Sequence, residues 1–198
     1  LASPGAEHGR LPVIYHISPE GKLLNSFTVG EREWNIVDSM ATDAQGRLYV
    51  RMRMQEDGSY VRIYSAEGEL IGTVADDNSY AVQGAGALGQ GKDGKVYAAA
   101  QAVGDTTAGN IAMTLVSVDP ESLRFVPVAG GENVICSADM IYPWKMVAAG
   151  VSETADFILW GYNGVDTYRL GETEFTRVQE NWEMPCGTEG TCAVLVPD

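Results

Sequence analysis

The stretch "MATDAQGRLYV" (residues 40–50) decides the fold, because a similar stretch, "LGQGKDGKVYA" (residues 88–98), follows about fifty residues later. In each copy, Asp and Gly supply the chemistry of a tight turn. The residues after the first turn, 47–54, are rich in β-formers, and their side chains alternate between two faces. Each copy therefore predicts a hairpin turn followed by a strand.

A second half-motif, a strand followed by a turn and another strand, recurs along the chain. In its first two copies the turn carries Glu-Gly, with Gly21 in one and Gly68 in the other. A spacing of about fifty residues between such turns is typical of an array of four-stranded units. The four copies are "VIYHISPEGKLLNSFTV" (13–29), "VRIYSAEGELIGTV" (61–74), "TLVSVDPESLRFVPV" (114–128) and "VDTYRLGETEFTRV" (165–178).

These repeats predict an all-β fold, a β-propeller or partial propeller of antiparallel four-stranded blades. No segment shows a helical period with caps, and "KMVAAGV" (145–151) is apolar throughout, as a strand in a blade packed between two neighbours should be. We predict a flexible leader at 1–11 and a single propeller domain at 12–198, with about three and a half to four blades encoded. The predicted blades cover 12–29 (half), 36–75, 81–129, 145–181 and 192–198 (half).

The pattern D-x-x-G-x-L-Y-V, followed by V-x-I-Y-S-x-x-G-x-L-I, resembles the blades of six-bladed propellers of the NHL and TolB-like kind. It is also similar to propeller segments of exported lipoproteins and extracellular solute-binding proteins of gut Firmicutes. The resemblance implies an extracellular or cell-surface-anchored protein that binds a ligand and does not act as a catalyst. Since such rings hold about six blades, it also leaves room for further blades or a fused domain outside this chain, unless the ring is smaller.

The composition argues against several classes of partner. A formal net charge of −14 repels the phosphates of nucleic acids and the head groups of anionic membranes. No apolar run approaches the roughly 20 residues of a membrane-spanning helix, so we expect no transmembrane segment. The expected ligand is therefore a small molecule, a carbohydrate or a peptide, and no cofactor is expected.

The loops that enter the innermost strands of a propeller surround one mouth of its central channel. Here those loops, at 30–35, 76–80, 132–144 and 180–190, each carry an aromatic residue and carboxylates. Aromatic faces beside carboxylates suit a sugar, through stacking and hydrogen bonds, or a cationic group, through cation–π contact. The alternative is that the rings wedge between blades and the acids are solvated. The predicted ligand-binding residues are Trp34, Tyr80, Trp144, Trp182, Asp76, Asp77, Asp139 and Glu183.

The sequence carries no catalytic signature that we recognise. It has no G-x-S-x-G, H-E-x-x-H, P-loop or EF-hand motif, and it has only two histidines. We therefore favour a non-catalytic binding module. The alternative is a propeller enzyme of the lactonase, lyase or glycosidase type that uses carboxylates around the channel.

Two further features need a structural explanation. Cys186 and Cys192 flank a glycine-containing loop and form either a short disulfide or two free thiols. Their spacing is not that of a zinc site, and we predict no metal. Arg51 and Arg53 share one face of a predicted strand. They either pair with carboxylates, which we favour, or hold an anion.

Overall fold

The computed structural model describes residues 2–3, 11–30, 36–54, 58–74, 80–81, 88–102, 113–130, 145–148, 157–160, 165–170 and 175–182. All the regular secondary structure in these ranges is β-strand. The strands are β1 (Ala2–Ser3), β2 (Val13–Ile17), β3 (Leu23–Thr28), β4 (Ile36–Thr42), β5 (Leu48–Met54), β6 (Gly58–Tyr64), β7 (Leu70–Val74), β8 (Tyr80–Ala81), β9 (Leu88–Gln90), β10 (Val96–Ala102), β11 (Met113–Asp119), β12 (Arg124–Pro127), β13 (Lys145–Ala148), β14 (Phe157–Trp160), β15 (Val165–Leu170) and β16 (Phe175–Trp182).

The described strands form four antiparallel sheets that follow one another along the chain. Sheet A contains β1, β2 and β3, sheet B contains β4 to β7, and sheet D contains β13 to β16, each in chain order. In sheet C, β10 pairs with β11 on one side and with both β8 and β9 on the other, and β12 lies at the outer edge. The predicted all-β class, with antiparallel sheets built on four strands, is therefore confirmed.

Four tight turns share one hydrogen-bonding pattern. The N–H of the first residue donates to the carbonyl of the fifth, and the N–H of the fourth residue, a glycine, donates to the carbonyl of the first. Each of these glycines has a φ between 78° and 92°, in the left-handed region where a Cβ atom is strained. The pattern is a type I turn closed by a glycine bulge. These glycine turns are 18–22, 43–47, 65–69 and 91–95.

Sheet B is buried on both faces because it lies between sheets A and C. Strand β5 shows this directly: Tyr49 packs towards sheet C, whereas Val50 and Met52 pack towards sheet A. Buried side chains therefore lie on both faces of the strand, including Arg51 on the face of Tyr49. The cluster between sheets B and C contains Tyr49, Val61, Ile63, Val74, Leu88, Val96, Ala98, Ala100, Val116, Val118 and Phe125. The cluster between sheets A and B contains Ile14, Val29, Val50, Met52 and Tyr64.

Successive sheets are also connected at the ends that carry the glycine turns. The N–H of Ala44 in sheet B donates to the carbonyl of Gly94 in sheet C, at 2.9 Å. The side-chain amide of Asn25 in sheet A donates to the carbonyl of Glu67 in sheet B, also at 2.9 Å. Strand β9 packs against both β4 and β13. The turn ends of sheets A, B and C therefore lie side by side, and the first strands of sheets B, C and D are neighbours.

The N-terminal segment contributes to sheet A. Ala2 and Ser3, within the range that the sequence predicts as a leader, form β1 and pair with Ile14 and Val13 of β2. Residues 1 and 4–10 lie outside the described residues. In the described ranges we find no helix that is long and apolar enough to cross a membrane.

Candidate functional site

Most of the predicted ligand-binding residues lie outside the part of the chain that the structure describes. Only the backbone is described for Tyr80, the first residue of β8, and for Trp182, the last residue of β16. Their ligand-binding role stays a prediction. The predicted residues outside the described ranges are Trp34, Asp76, Asp77, Asp139, Trp144 and Glu183, together with Cys186 and Cys192 of the predicted disulfide.

The strand registers show where the mouth loops join their sheets. Tyr80 pairs with Ala102, at the end of β10 that is remote from glycine turn 91–95. Trp182 pairs with Val165, at the end of sheet D opposite the β15–β16 connection. The predicted loops of sheets C and D thus join at the end opposite the connections between β9 and β10 and between β15 and β16.

Strands β4 and β13 begin in the same way. Their first residues, Ile36 and Lys145, pair with Arg53 and Trp160. Ile36 therefore lies at the end of sheet B that is remote from the glycine turn joining β4 to β5. Lys145 likewise lies at the end of sheet D that is remote from the connection between β13 and β14. The placement of the mouth loops themselves stays a prediction.

A cleft of about 700 Å³ separates the inner parts of sheets A and B. Consecutive residues of β2 and of β4 line it, and since side chains alternate along a strand, the cleft faces strand edges as well as strand faces. None of its residues belongs to the predicted ligand set. The cleft is lined by Ile14, Tyr15, His16, Ile17, Phe27, Met40, Ala41, Thr42, Gly46, Leu48, Ser65 and Ala66.

The walls of this cleft are mainly apolar, with few polar groups. Ile14 is buried, and Phe27 and Leu48 are half-buried. The lining residues with polar side chains are Tyr15, His16, Thr42 and Ser65. Such a surface can enclose an apolar body and offer a few hydrogen bonds to its polar end.

A buried hydroxyl without a partner lies in the wall behind the cleft. Tyr64 is 3% exposed, and its hydroxyl has no hydrogen-bond partner among the described residues. Its ring centroid is 5.4 Å from that of Phe27, and it pairs across the strands with Leu48. Both neighbours line the cleft, but Tyr64 itself does not, so its hydroxyl is a buried polar group behind these residues that lacks a partner in the described part of the chain.

The carboxylate of Asp43 is part of a turn and not of an open site. It accepts hydrogen bonds from the N–H of Gln45 at 3.0 Å, from the N–H and Nε of Arg47 at 2.9 and 2.6 Å, and from the hydroxyl of Tyr49 at 3.0 Å. Burial alone would raise the pKa of Asp43, but the hydrogen bonds from Arg47 and Tyr49 outweigh it and hold this pKa below its ordinary value. Asp43 is thus a structural anion, unsuited to act as a general acid.

Sheet C reproduces this contact with a carboxylate at a different position. The hydroxyl of Tyr97 donates to Asp93 at 2.7 Å. Asp93 precedes Gly94, whereas Asp43 lies three residues before Gly46. Burial and the hydrogen bond to Asp93 raise the pKa of Tyr97. A tyrosine hydroxyl that donates a hydrogen bond to a turn carboxylate is therefore a structural feature shared by sheets B and C.

The arginine prediction is confirmed where the side chain is described. Arg51 is 3% exposed and lies 3.5 Å from the carboxylate of Asp38 on β4. The pair ties together the two inner strands of sheet B, as expected for a buried charge. The side chain of Arg53 lies outside the described part. A search of the described residues finds no group of three or more His, Cys, Asp or Glu side chains placed to hold a metal ion.

Comparison with known proteins identifies the fold and no family. No protein-family model and no curated protein matches the chain. Among solved structures, the chain is similar to a puromycin hydrolase, with a TM-score of 0.50 and 13% sequence identity. The likeness covers 91% of this chain and 26% of the hydrolase chain, so this chain spans about a quarter of that protein's length.

At such low identity the likeness shows the fold alone. The hydrolase contains a propeller, and the sheets described above have the antiparallel four-stranded form of propeller blades. The chain is therefore an all-β protein with the fold of a β-propeller or of part of one. The finer resemblance to NHL and TolB-like propellers stays a prediction.

Proposed function

We propose that this chain is the propeller part of an extracellular or cell-surface protein that binds a sugar or a peptide at the mouth of its channel. The observation that carries the proposal is the position of the strand ends. The first strands of sheets B, C and D begin with Ile36, Tyr80 and Lys145, each at the end of its sheet that is remote from the connection to the second strand. Because β4 and β13 both pack against β9 of sheet C, we expect the aromatic and acidic loops that precede these first strands to lie close together.

The residues of these loops have the chemistry for such ligands. An aromatic ring stacks on the apolar face of a sugar, while carboxylates accept hydrogen bonds from its hydroxyls. The same pair of groups attracts a lysine or arginine side chain through cation–π contact and charge. The net charge of −14 adds a long-range preference for cationic peptides over anionic ones.

Variants of the mouth tryptophans test the proposal. A glycan array and a tetralysine peptide serve as probes, followed by titration of each binder with Trp34→Ala and Trp182→Ala. Loss of one stacked ring, about 1 kcal/mol, weakens binding about fivefold. Leu24→Ala is the control, since Leu24 is an exposed apolar residue of β3 beside glycine turn 18–22 and not in a mouth loop. Binding that both alanine variants retain at full strength would contradict the proposal.

A hydrolase is the second candidate, favoured by the likeness to puromycin hydrolase. The propeller would then contribute carboxylates around the channel to a catalytic centre. Incubation of the protein with puromycin and with aryl glycosides, followed by mass spectrometry of the products, tests this directly. Turnover that falls with Asp76→Asn or Asp139→Asn would favour the enzyme over the binding module.

A further inference from the structure

We propose that the cleft between sheets A and B is a second binding site, for a small amphipathic cation with an apolar or aromatic body and one amine. This site is separate from the proposed mouth and does not depend on it. Two properties of the described residues support it: the size of the cleft with its apolar walls, and the acidic turn at its rim.

The size and walls of the cleft fit the body of such a ligand. Its volume of about 700 Å³ lies within the range of roughly 300–1,000 Å³ that is usual for small-molecule sites. Phe27 offers an aromatic ring from sheet A, and Leu48 and Met40 offer aliphatic surface from sheet B. An apolar body of one or two rings gains from leaving water for these walls.

The rim of the cleft is acidic at the glycine turn 65–69. Ser65 and Ala66 of this turn line the cleft. The next charged residues, Glu67 and Glu69, are exposed, and the turn holds no basic residue. An amine at this edge of the cleft would face two carboxylates at a short distance along the chain. Negative charge at the rim therefore favours a cation.

The other two turns beside the cleft add no net charge. In turn 18–22, Glu20 is balanced by Lys22. In turn 43–47, Asp43 is paired with Arg47 at 2.6 Å. The rim as a whole is therefore negative because of turn 65–69. Each basic residue of these turns has a carboxylate in the same turn, so the rim does not favour an anionic ligand.

Three dansyl probes that share one fluorophore test the proposal on the full chain. Dansylcadaverine carries an amine, dansylamide is neutral, and dansylglycine carries a carboxylate. Their fluorescence rises when the ring leaves water. We expect dansylcadaverine to bind about threefold more tightly than dansylamide, as one partly screened ion pair allows, and dansylglycine to bind most weakly. The difference in affinity between dansylcadaverine and dansylamide should shrink at high salt.

Two variants locate the binding. Ala66→Phe fills the cleft from an exposed turn position and should abolish binding of all three probes. Glu67→Gln should bring dansylcadaverine close to dansylamide. Thr73→Phe is the matched control, because Thr73 is exposed on β7 and does not line the cleft. Circular dichroism spectra and melting temperatures show whether each variant is folded, so that loss of binding is not loss of structure.

Several results would overturn the proposal. The first is equal binding of the three probes, and the second is binding that Ala66→Phe leaves intact. A dimer that excludes the probes and dissociates in Ala66→Phe would assign the cleft to a second copy of the chain. If the backbone amides of the cleft are protected from hydrogen exchange at every protein concentration and no probe binds, another segment of the same chain fills the cleft. The tryptophan variants of the mouth should leave dansylcadaverine binding unchanged, which separates this site from the mouth.

Discussion

Two glycines of sheet B give a matched test of how the sheets pack. Gly46 and Gly68 occupy the same place in two glycine turns, with φ values of 78° and 92°. A Cβ atom at Gly46 would meet nothing within 4 Å, whereas one at Gly68 would lie 2.5 Å from the ring of Phe27 in sheet A. Alanine at either position therefore adds the same backbone strain, but only Gly68→Ala adds a steric clash.

The expected magnitudes follow from these two terms. A non-glycine residue in the left-handed region costs about 1–2 kcal/mol, which is the whole expected loss for Gly46→Ala. In Gly68→Ala the ring of Phe27 must also move, and overpacking of this kind costs about 1–3 kcal/mol. The ring would further lose its tilted contact with Tyr64, worth about 0.5–1.5 kcal/mol. Gly68→Ala should therefore destabilise by about 2.5–6.5 kcal/mol.

Urea unfolding followed by circular dichroism measures both losses as changes in the free energy of unfolding. Removal of the Phe27 ring provides the control. In a Phe27→Ala background, Gly68→Ala should cost no more than Gly46→Ala, since only backbone strain is left. Equal losses for the two glycine variants in the parent chain, or no relief in the Phe27→Ala background, would refute this account of the packing between sheets A and B.

Three further predictions concern the polar groups. Asp43→Asn should cost about 2–4 kcal/mol at neutral pH because it weakens charge-assisted hydrogen bonds to a buried group. Since the folded pKa of Asp43 is lowered, its contribution is present above the unfolded value of about 3.9 and is lost as pH falls through the folded value. The parent and variant unfolding free energies should therefore converge in acid and stay apart at neutral pH, and a constant difference would be contrary evidence. Glu121→Ala should change the unfolding free energy by less than about 0.5 kcal/mol, because Glu121 is 88% exposed in its 3.6 Å pair with Arg47, and a larger loss that persists in high salt would contradict this. Tyr64→Phe should leave stability unchanged or raise it by up to about 1 kcal/mol, since the hydroxyl has no partner among the described residues, whereas a clear loss on thermal melting would show that it has one.

The turns and strands of this chain are predictable from its sequence because their causes are local. The positive φ of Gly21, Gly46, Gly68 and Gly94 follows from glycine at the fourth place of a five-residue turn. The β11–β12 turn is one residue longer, since Asp119 pairs with Arg124 across four residues, whereas three residues separate the hydrogen-bonded ends of each glycine turn. There Leu123 takes a φ of 54° where the other turns have glycine. Its side chain lies over Gly72 in sheet B, where a Cβ atom would be 2.5 Å away.

The cleft could not be predicted in the same way, because it depends on how two sheets meet. Ile14 and Leu48 are far apart in the chain, and the repeat motifs that contain them predict turns and strands but not which sheets meet. The pairing of Arg51 was predictable in kind, since a buried cation in an acidic chain needs a carboxylate. Its partner, Asp38, is fixed only by the register of β4 against β5.

The mouth of the channel is the central claim, and quenching of tryptophan fluorescence by acrylamide tests it most directly. Variants that keep only Trp34, only Trp144 or only Trp182 report on each mouth ring separately, and free N-acetyltryptophanamide serves as the fully exposed reference. A stacked ligand must reach the ring face, so at least two of the mouth tryptophans should be quenched readily and should be shielded when a glycan or tetralysine binds. If all three mouth tryptophans resist quenching far more strongly than the free reference, they are wedged between blades, and the proposed binding mouth is wrong.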